Sequence, residues 1–239
     1  MTQRILAIGG GGFLMEDSPS PIDRFIVGLA GRNAPKICFV GTPSGDSVEM
    51  IEKFYAAFEP LGCVPSHLAF FRKPTRGSLP LAGFAEPLLE QDVIFVGGGN
   101  TKSALAVWRE WQLDQVLREA WMRGTLLAGV SAGALCWFEE ALTDSYWGAG
   151  LKPLKCLGLL AGGCCVHYSS EPERRRALHA EIDRGVSAPR IAIDDSAAVL
   201  YSGSAIEKVV AWRPGAGAYS VFARDGAVVE QVHEAVSIA

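Results

Sequence analysis

A serine near the middle of the chain has the sequence surroundings of a catalytic nucleophile. Ser131 lies within Gly129-Val130-Ser131-Ala132-Gly133, directly after an apolar run and before a helical pattern. In a strand–turn–helix context, flanking glycines allow the sharp turn that projects a serine hydroxyl from the edge of a sheet. The same turn places the N–H of Ala132 where it can stabilise an oxyanion. The spacing therefore predicts Ser131 as a nucleophile and Ala132 as an oxyanion donor.

A serine nucleophile needs a general base, and the chain has only four histidines. His167 follows a short apolar run and precedes polar residues, which predicts a position at the end of a strand near Ser131. Packing or surface roles are the default for the others, because His67 begins a strand, His179 lies among helical arginines and His233 is near the C-terminus. We therefore expect His167 to be the base.

The carboxylate that orients the base is expected between the serine and the histidine along the chain. The acidic residues in that interval are Glu139, Glu140 and Asp144. Asp144 lies in the loop sequence Thr143-Asp144-Ser145 and can approach an imidazole, whereas the two glutamates fit a helix end. Asp144 is therefore predicted as the third catalytic residue, with Glu139 as a competitor.

A second glycine-rich turn, Gly97-Gly98-Gly99-Asn100-Thr101, follows another apolar run. One interpretation is a tight strand-to-helix turn in which Asn100 or Thr101 is the helix N-cap. The other is a group of bare backbone N–H donors that faces an anion or oxyanion, where a Cβ atom would obstruct the approach. Both interpretations stay open from the residues of this turn alone.

The segments around these turns alternate short apolar runs with helical patterns. Buried strands are predicted at residues 4–8, 36–40, 66–71, 92–96 and 125–130. Helices are predicted to begin near Ser20 and Ser47. This alternation is typical of an α/β fold with a doubly wound, mostly parallel sheet and helices on both faces, whose sites lie beyond the carboxyl ends of strands. After Pro189, short strands separated by turn signals predict a C-terminal antiparallel meander.

Composition restricts the class of protein. The chain has 239 residues, of which 49% are hydrophobic and 20% charged, and this balance indicates a globular protein with one domain over residues 1–239. A net charge of −4 and the lack of a basic stripe argue against a nucleic-acid partner. No signal peptide or long apolar span is recognisable, so we expect a cytoplasmic protein without a membrane partner and with reduced cysteines.

Neither a cofactor nor a metal is expected. The run Gly9-Gly10-Gly11-Gly12 follows the first strand, but a dinucleotide motif would need glycine where Leu14 or Met15 stands. The chain has no P-loop motif. Cys164-Cys165 with His167 lacks the spacing of a zinc site.

Together these segments resemble peptidase family S51, which contains aspartyl dipeptidase (peptidase E) and cyanophycinase and has a fold like the class I glutamine amidotransferase domain. The resemblance is carried by residues 96–101, 129–134, 136–139, 143–145, and His167 with the helix start at 173–176. It implies Ser131 as nucleophile, His167 as general base and Asp144 as the acidic third member. It also implies that the oxyanion is held by backbone N–H groups at Gly98, Gly99 and Ala132.

The resemblance implies a substrate class as well. The dipeptidases of the family cleave after an N-terminal aspartate and read its carboxylate with an arginine downstream of the histidine. Among Arg174, Arg175 and Arg176, we expect Arg175 or Arg176 to bind the substrate, together with Asn100. The implied function is an intracellular serine exopeptidase that hydrolyses short peptides, chiefly dipeptides with N-terminal aspartate, through an acyl-enzyme.

Two alternative functions stay open at this point. One is a cyanophycinase-like peptidase acting on β-linked Asp–Arg material, and the other is a non-catalytic, amidotransferase-like module that binds a small ligand. Whether the chain forms a homodimer also stays open. The segment 146–160, rich in glycine and aromatic residues, is expected to form a loop over the site.

Overall fold

The computed structural model describes residues 2–17, 19–185 and 188–238. The strands are β1 (Arg4–Ile8), β2 (Lys36–Val40), β3 (Val64–Leu68), β4 (Val93–Val96), β5 (Leu126–Val130), β6 (Phe138–Thr143), β7 (Lys152–Lys155), β8 (Leu160–Val166), β9 (Arg190–Ile193), β10 (Ala197–Ser202), β11 (Ala205–Ala211), β12 (Ala218–Arg224), β13 (Ala227–His233) and β14 (Ala235–Ser237). The α-helices are α1 (Pro21–Ala30), α2 (Val48–Phe58), α3 (Ala85–Leu89), α4 (Thr101–Glu110), α5 (Leu113–Arg123), α6 (Ala132–Leu135) and α7 (Pro172–Asp183).

The strands form two sheets. The larger has the order β14-β11-β10-β1-β5-β4-β2-β3, and its strands from β1 to β3 are parallel. The smaller has the order β13-β12-β9-β8-β6-β7, with β6, β8 and β9 parallel. The expected α/β fold with a mostly parallel sheet and C-terminal antiparallel strands is confirmed.

Some details differ from the expectation. Strand β3 covers residues 64–68 rather than 66–71. The C-terminal strands do not form one meander, because β10 and β11 extend the larger sheet whereas β12 and β13 extend the smaller one. Strand β9 pairs in parallel with β8 of the smaller sheet, whereas β10 pairs with β1 of the larger sheet. The chain therefore passes from one sheet to the other between β9 and β10.

Both faces of the larger sheet are buried, which explains why its strands are continuous apolar runs. Helices α1 and α2 cover one face, where Ile26 and Phe58 pack with Leu6 of β1. Helices α4 and α5 cover the other face, where Trp108 and Leu117 pack in the core that contains Ile5. Among the described residues, no helix is long and apolar enough to cross a membrane.

The turn after β1 is anchored in the core by Phe13. Its ring lies 5.2 Å from the ring of Phe95 and 5.7 Å from the rings of Phe54 and Phe58, measured between centroids. Phe13 is 2% exposed, although the segment that carries it is a loop with a short 3-10 helix at residues 12–14. This packing holds the glycine-rich turn against the sheet.

We predict that Phe13→Ala lowers the free energy of unfolding by about 3–5 kcal/mol, because the surrounding rings cannot fill the cavity left behind. Phe71→Ala is the matched control, since Phe71 is 56% exposed and its loss should change stability by about 0.5 kcal/mol or less. Urea unfolding of the two variants measures both values. Equal losses in the two variants would contradict the anchoring role of Phe13.

Candidate active site

Ser131 lies in the sharp turn between β5 and α6. Its backbone angles are φ 56° and ψ −114°, a conformation that a residue with a side chain adopts only when the surroundings hold it there. The Ser131 N–H donates to the carbonyl of Ile8 at 3.0 Å, and the Ser131 carbonyl accepts from the N–H of Ala134 at 2.9 Å. The turn is therefore fixed from both sides, as in a nucleophile elbow.

The glycines on either side of Ser131 are required by close backbone contacts. A Cβ atom on Gly129 would overlap the carbonyl group of Gly133. A Cβ atom on Gly133 would overlap the carbonyl of Val96 at the end of β4. The G-x-S-x-G spacing thus lets α6 begin directly against the ends of β4 and β5.

His167 joins Ser131 to a carboxylate. Its Nε2 atom lies 2.9 Å from Ser131 Oγ, and its Nδ1 atom lies 2.6 Å from Oδ1 of Asp195. Ser131 follows β5 of the larger sheet, whereas His167 and Asp195 follow the neighbouring parallel strands β8 and β9 of the smaller sheet. The three side chains therefore meet where the carboxyl ends of strands from both sheets face one another.

The expected contact between Asp144 and His167 is not formed, and Asp195 takes its place. Asp144 follows β6 and Asp195 follows β9, so the two residues flank β8 on opposite sides. Because Nε2 of His167 points to Ser131, Nδ1 faces the β9 side. The competitor Glu139 is also elsewhere, since its carboxylate accepts the N–H of Gly162 at 2.8 Å.

Asp195 lies outside the interval of the chain in which the acid was expected. A signal for it exists in the sequence, because Asp194-Asp195 directly follows the apolar strand Arg190–Ile193. His167 was recognised by the same pattern of a polar residue at the end of an apolar run. Strand order in space, not order along the chain, decides which carboxylate reaches the imidazole.

The electrostatics of the pair favour an ionised carboxylate. The hydrogen bond from His167 lowers the pKa of the Asp195 carboxyl, and this effect outweighs the opposing effect of partial burial. A carboxylate at this position accepts a hydrogen bond from Nδ1–H, and we assign the tautomer with the proton on Nδ1 on this basis. Nε2 is then free to accept the hydroxyl proton of Ser131.

The run Gly9–Gly12 provides the surface against which this pair packs. A Cβ atom on Gly10 would overlap Oδ1 of Asp195 and lie 2.9 Å from Cε1 of His167. The carbonyl of Gly10 accepts the N–H of Ser196 at 2.8 Å, which fixes the backbone beside Asp195. Bare backbone is therefore needed at Gly10 so that the carboxylate and the imidazole can come together.

Asp194 fixes the end of β9 through hydrogen bonds to three neighbouring residues. It is 3% exposed, and its carboxylate accepts hydrogen bonds from the hydroxyl of Ser169 at 2.6 Å and the hydroxyl of Tyr219 at 3.1 Å. A third donor is the N–H of Gly217 at 3.0 Å. These bonds join the turn after His167 to the end of β9 and to β12.

The backbone of Gly98 faces the nucleophile, since a Cβ atom built on it would lie 3.9 Å from Ser131 Oγ. Gly99 has φ 134°, and a Cβ atom there would overlap the carbonyl of Pro43. Ala132 is the first residue of α6, so its N–H has no acceptor within that helix. Of the three expected oxyanion positions, Gly98 therefore lies beside Ser131, Gly99 follows Gly98 along the chain, and Ala132 directly follows Ser131.

Asn100 acts as the N-cap of α4. Its side-chain oxygen accepts the N–H of Ser103 at 2.9 Å, and its amide nitrogen donates to the carbonyl of Ser145 at 3.1 Å. The side chain of Asn100 therefore caps α4, as the helix-capping interpretation of this turn expects. The glycines before it leave bare backbone beside Ser131.

The structure places Arg174, rather than Arg175 or Arg176, on the inner face of α7. Arg174 is 4% exposed, its Nε donates to Glu171, and its Nη2 lies 3.5 Å from a carboxylate oxygen of Asp144. Its Nη1 is buried and has no hydrogen-bond partner within the part of the chain that the structure describes.

The neighbouring arginines point away from this position. Arg175 pairs with Glu230 and stacks over the ring of Tyr168, and Arg176 is exposed. The reason is helical periodicity, since the buried Leu178 and Ile182 lie four and eight residues after Arg174.

A cavity of about 310 Å³ adjoins the glycine turn. The residues that line it are Pro43, Ser44, Gly99, Asn100, Asp144, Ser145 and Trp147. Trp147 is 86% exposed at its rim, whereas residues 152–155 of the segment expected to cover the site form β7 against β6. Only the first part of that segment therefore borders the cavity.

The nearby thiol of Cys136 is a poor competitor for the role of nucleophile. Complete burial raises its pKa well above the ordinary value, so that the reactive thiolate is scarce. Within residues 2–17, 19–185 and 188–238, no group of three or more His, Cys, Asp or Glu side chains is arranged to hold a metal ion.

Comparisons with known proteins identify the family of the chain. The model of peptidase family S51 matches residues 5–209. The chain is 46% identical over 229 residues to the uncharacterized peptidase YgaJ of Bacillus subtilis strain 168, an alignment that covers 95% of this chain and 96% of YgaJ. The chain therefore belongs to peptidase family S51, and it is a peptidase.

Two solved structures share the fold. A peptidase from an acI-B1 Actinobacterium superposes with a TM-score of 0.73 at 18% identity, covering 98% of this chain and 95% of that one. A candidate peptidase E protein from Listeria monocytogenes EGD-e superposes with a TM-score of 0.64 at 17% identity, covering 89% of this chain and 99% of that one.

We predict that Gly10→Ala displaces Asp195 from His167 and slows the reaction of Ser131 with a fluorophosphonate probe by about tenfold or more, since 1 Å misplacements at such sites have large kinetic effects. Gly28→Ala is the matched control. No atom lies within 4 Å of a Cβ built there, and alanine should stabilise α1 by up to about 1 kcal/mol. Probe labelling at normal speed in Gly10→Ala would contradict the packing role of Gly10.

Proposed function

We propose that this peptidase uses Ser131 as its nucleophile, His167 as its general base and Asp195 as the carboxylate that orients the base. The observation that carries the proposal is the position of the His167 ring, 2.9 Å from Ser131 Oγ and 2.6 Å from Asp195 Oδ1. Each contact is within hydrogen-bond distance, and the three groups stand in the order that serine peptidases require.

The reaction would proceed in two halves. In the first, Nε2 of His167 takes the hydroxyl proton while Ser131 Oγ attacks the carbonyl carbon of the scissile bond. The carbonyl oxygen gains negative charge beside the N–H groups of Ala132 and of Gly98 or Gly99. His167 then gives its proton to the leaving amine, and an acyl-enzyme remains on Ser131.

In the second half, water attacks the acyl-enzyme. His167 accepts a proton from the water, and the hydroxide equivalent adds to the acyl carbon. Collapse of this intermediate breaks the bond to Ser131 Oγ, to which His167 returns the proton. The free acid leaves, and Ser131 and His167 return to their starting states with one water consumed.

We further propose that the substrate is a short peptide with an N-terminal aspartate. The resemblance to the aspartyl dipeptidases supports this choice, and so does the buried guanidinium of Arg174, whose Nη1 has no hydrogen-bond partner among the described residues. A guanidinium holds a carboxylate through two parallel hydrogen bonds, whereas a neutral amide offers one acceptor oxygen and no negative charge. Arg174 thus replaces Arg175 and Arg176 as the residue proposed to read the substrate.

The role of Asp195 is tested by the rate at which a fluorophosphonate labels Ser131. Asp195→Asn keeps the shape of the side chain but favours the wrong tautomer of His167, so labelling should slow by about 10³–10⁴-fold. Asp144→Asn is the matched control and should label within about twofold of the wild-type rate. The reverse ranking of the two variants would restore Asp144 as the third catalytic residue.

The substrate proposal is tested with a dipeptide panel. We expect kcat/KM for Asp-Leu to exceed that for Asn-Leu, and Arg174→Gln to reduce the Asp-Leu value by about 10–100-fold because a hydrogen bond to a charged group is lost. Arg176→Gln, at an exposed site on the same helix, should change nothing. Ser131 labelling monitors whether Arg174→Gln keeps its active fold.

Three results would count against this substrate. Equal rates for Asp-Leu and Asn-Leu in the wild type would contradict it, and so would an unchanged preference in Arg174→Gln. Selective turnover of a β-linked Asp–Arg dipeptide would favour the cyanophycinase-like alternative instead.

A further inference from the structure

Asp144 is held in place although it does not reach His167. The hydroxyl of Ser145 accepts the N–H of Thr101 at 3.0 Å and lies 2.8 Å from the hydroxyl of Thr143. The amide of Asn100 donates to the carbonyl of Ser145 at 3.1 Å. The backbone around Asp144 is therefore tied to the start of α4, directly after the glycines that face Ser131.

The carboxylate of Asp144 is available to a ligand. Its side chain is 69% exposed and borders the same cavity as Gly99. Among the described residues that line this cavity, Asp144 supplies the charge, since the others are neutral. One of its oxygens lies 3.5 Å from Nη2 of Arg174, so a negative and a positive group stand side by side at the edge of the site.

This pair of charges matches the two ends of one particular residue. An N-terminal aspartate carries an α-ammonium group and a side-chain carboxylate on the same short skeleton. When its carbonyl group is at Ser131 with the oxygen toward Gly98 and Ala132, the ammonium group is only one bond beyond the α-carbon. The charged acceptor that the described residues place beside the glycine turn is the carboxylate of Asp144, which borders the same cavity as Gly99.

We infer that Asp144 binds the α-ammonium group of the first residue of the substrate. The inference rests on the proposed serine peptidase reaction. It explains why cleavage would be confined to the N-terminal residue of the substrate. Asp144 would hold the ammonium group while Arg174 holds the side-chain carboxylate, so the resting ion pair is exchanged for two ion pairs with the substrate. Asp144 is then a substrate-binding residue, and a peptide with a blocked amino group lacks its main contact there.

Two anilides isolate this contact. Aspartyl p-nitroanilide and succinyl p-nitroanilide share the leaving group and the distal carboxylate, but the succinyl compound lacks the α-ammonium group. The wild-type kcat/KM should be about 10–100-fold higher for the aspartyl compound, the range expected for a hydrogen-bonded charge pair. Asp144→Asn should abolish this preference by lowering the aspartyl value, without lowering the succinyl value.

The control variant is Asp225→Asn, at the exposed turn between β12 and β13, which should keep the wild-type preference. Equal loss of both activities in Asp144→Asn would overturn the inference, because Asp144 would then act only through Arg174 or the fold. A wild-type enzyme that does not distinguish the two anilides would overturn it as well, while leaving the proposed reaction intact.

A second readout separates the inference from the reaction on which it rests. Free aspartate should protect Ser131 from a fluorophosphonate better than succinate does, and Asp144→Asn should remove only the extra protection by aspartate. This result supports the inference even where an anilide turns over too slowly to measure. Equal protection by the two acids in the wild type would contradict it, whereas a wild-type Ser131 that the probe never labels would contradict the serine peptidase reaction and the inference together.

Discussion

The whole site depends on one short contact, the hydrogen bond from Nδ1 of His167 to Asp195 at 2.6 Å. Both residues are attached to the ends of parallel strands in the smaller sheet, whereas Ser131 belongs to the larger one. The second contact of the ring, from Nε2 of His167 to Ser131 Oγ, therefore forms only if the two sheets present their strand ends to each other at a fixed distance. Gly10 allows that distance because it places bare backbone against both side chains. Within the smaller sheet, Asp194 joins the turn after His167 to the end of β9 and to β12 through three hydrogen bonds.

The parts of the fold and site that local chemistry determines could be predicted from the sequence. Strand β1 and β2 have the expected bounds because a strand buried on both faces must be continuously apolar. Ser131 was recognisable because a sharp turn needs glycine at 129 and 133, which the backbone contacts of both residues explain. His167 was recognisable because it ends an apolar run at the carboxyl edge of a sheet.

The remaining parts depend on which elements become neighbours in space. Asp144 and Asp195 both follow strands adjacent to β8, and only the direction of the imidazole distinguishes between them. The C-terminal strands divide between two sheets because β9 pairs in parallel with β8, which the alternation of short strands and turns does not encode. The inward arginine is a different case. Arg174 lies four residues before the buried Leu178, so the helical period of α7 predicts that Arg174 faces inward.

The proposed reaction depends on the connection that His167 makes between Ser131 and Asp195. Proton NMR of the imidazole N–H of His167 tests it directly, because a proton held between Nδ1 and a carboxylate is deshielded and slow to exchange. This resonance should be present in the wild type and in Asp144→Asn and should be lost in Asp195→Asn. A resonance that persists in Asp195→Asn and disappears in Asp144→Asn would contradict it.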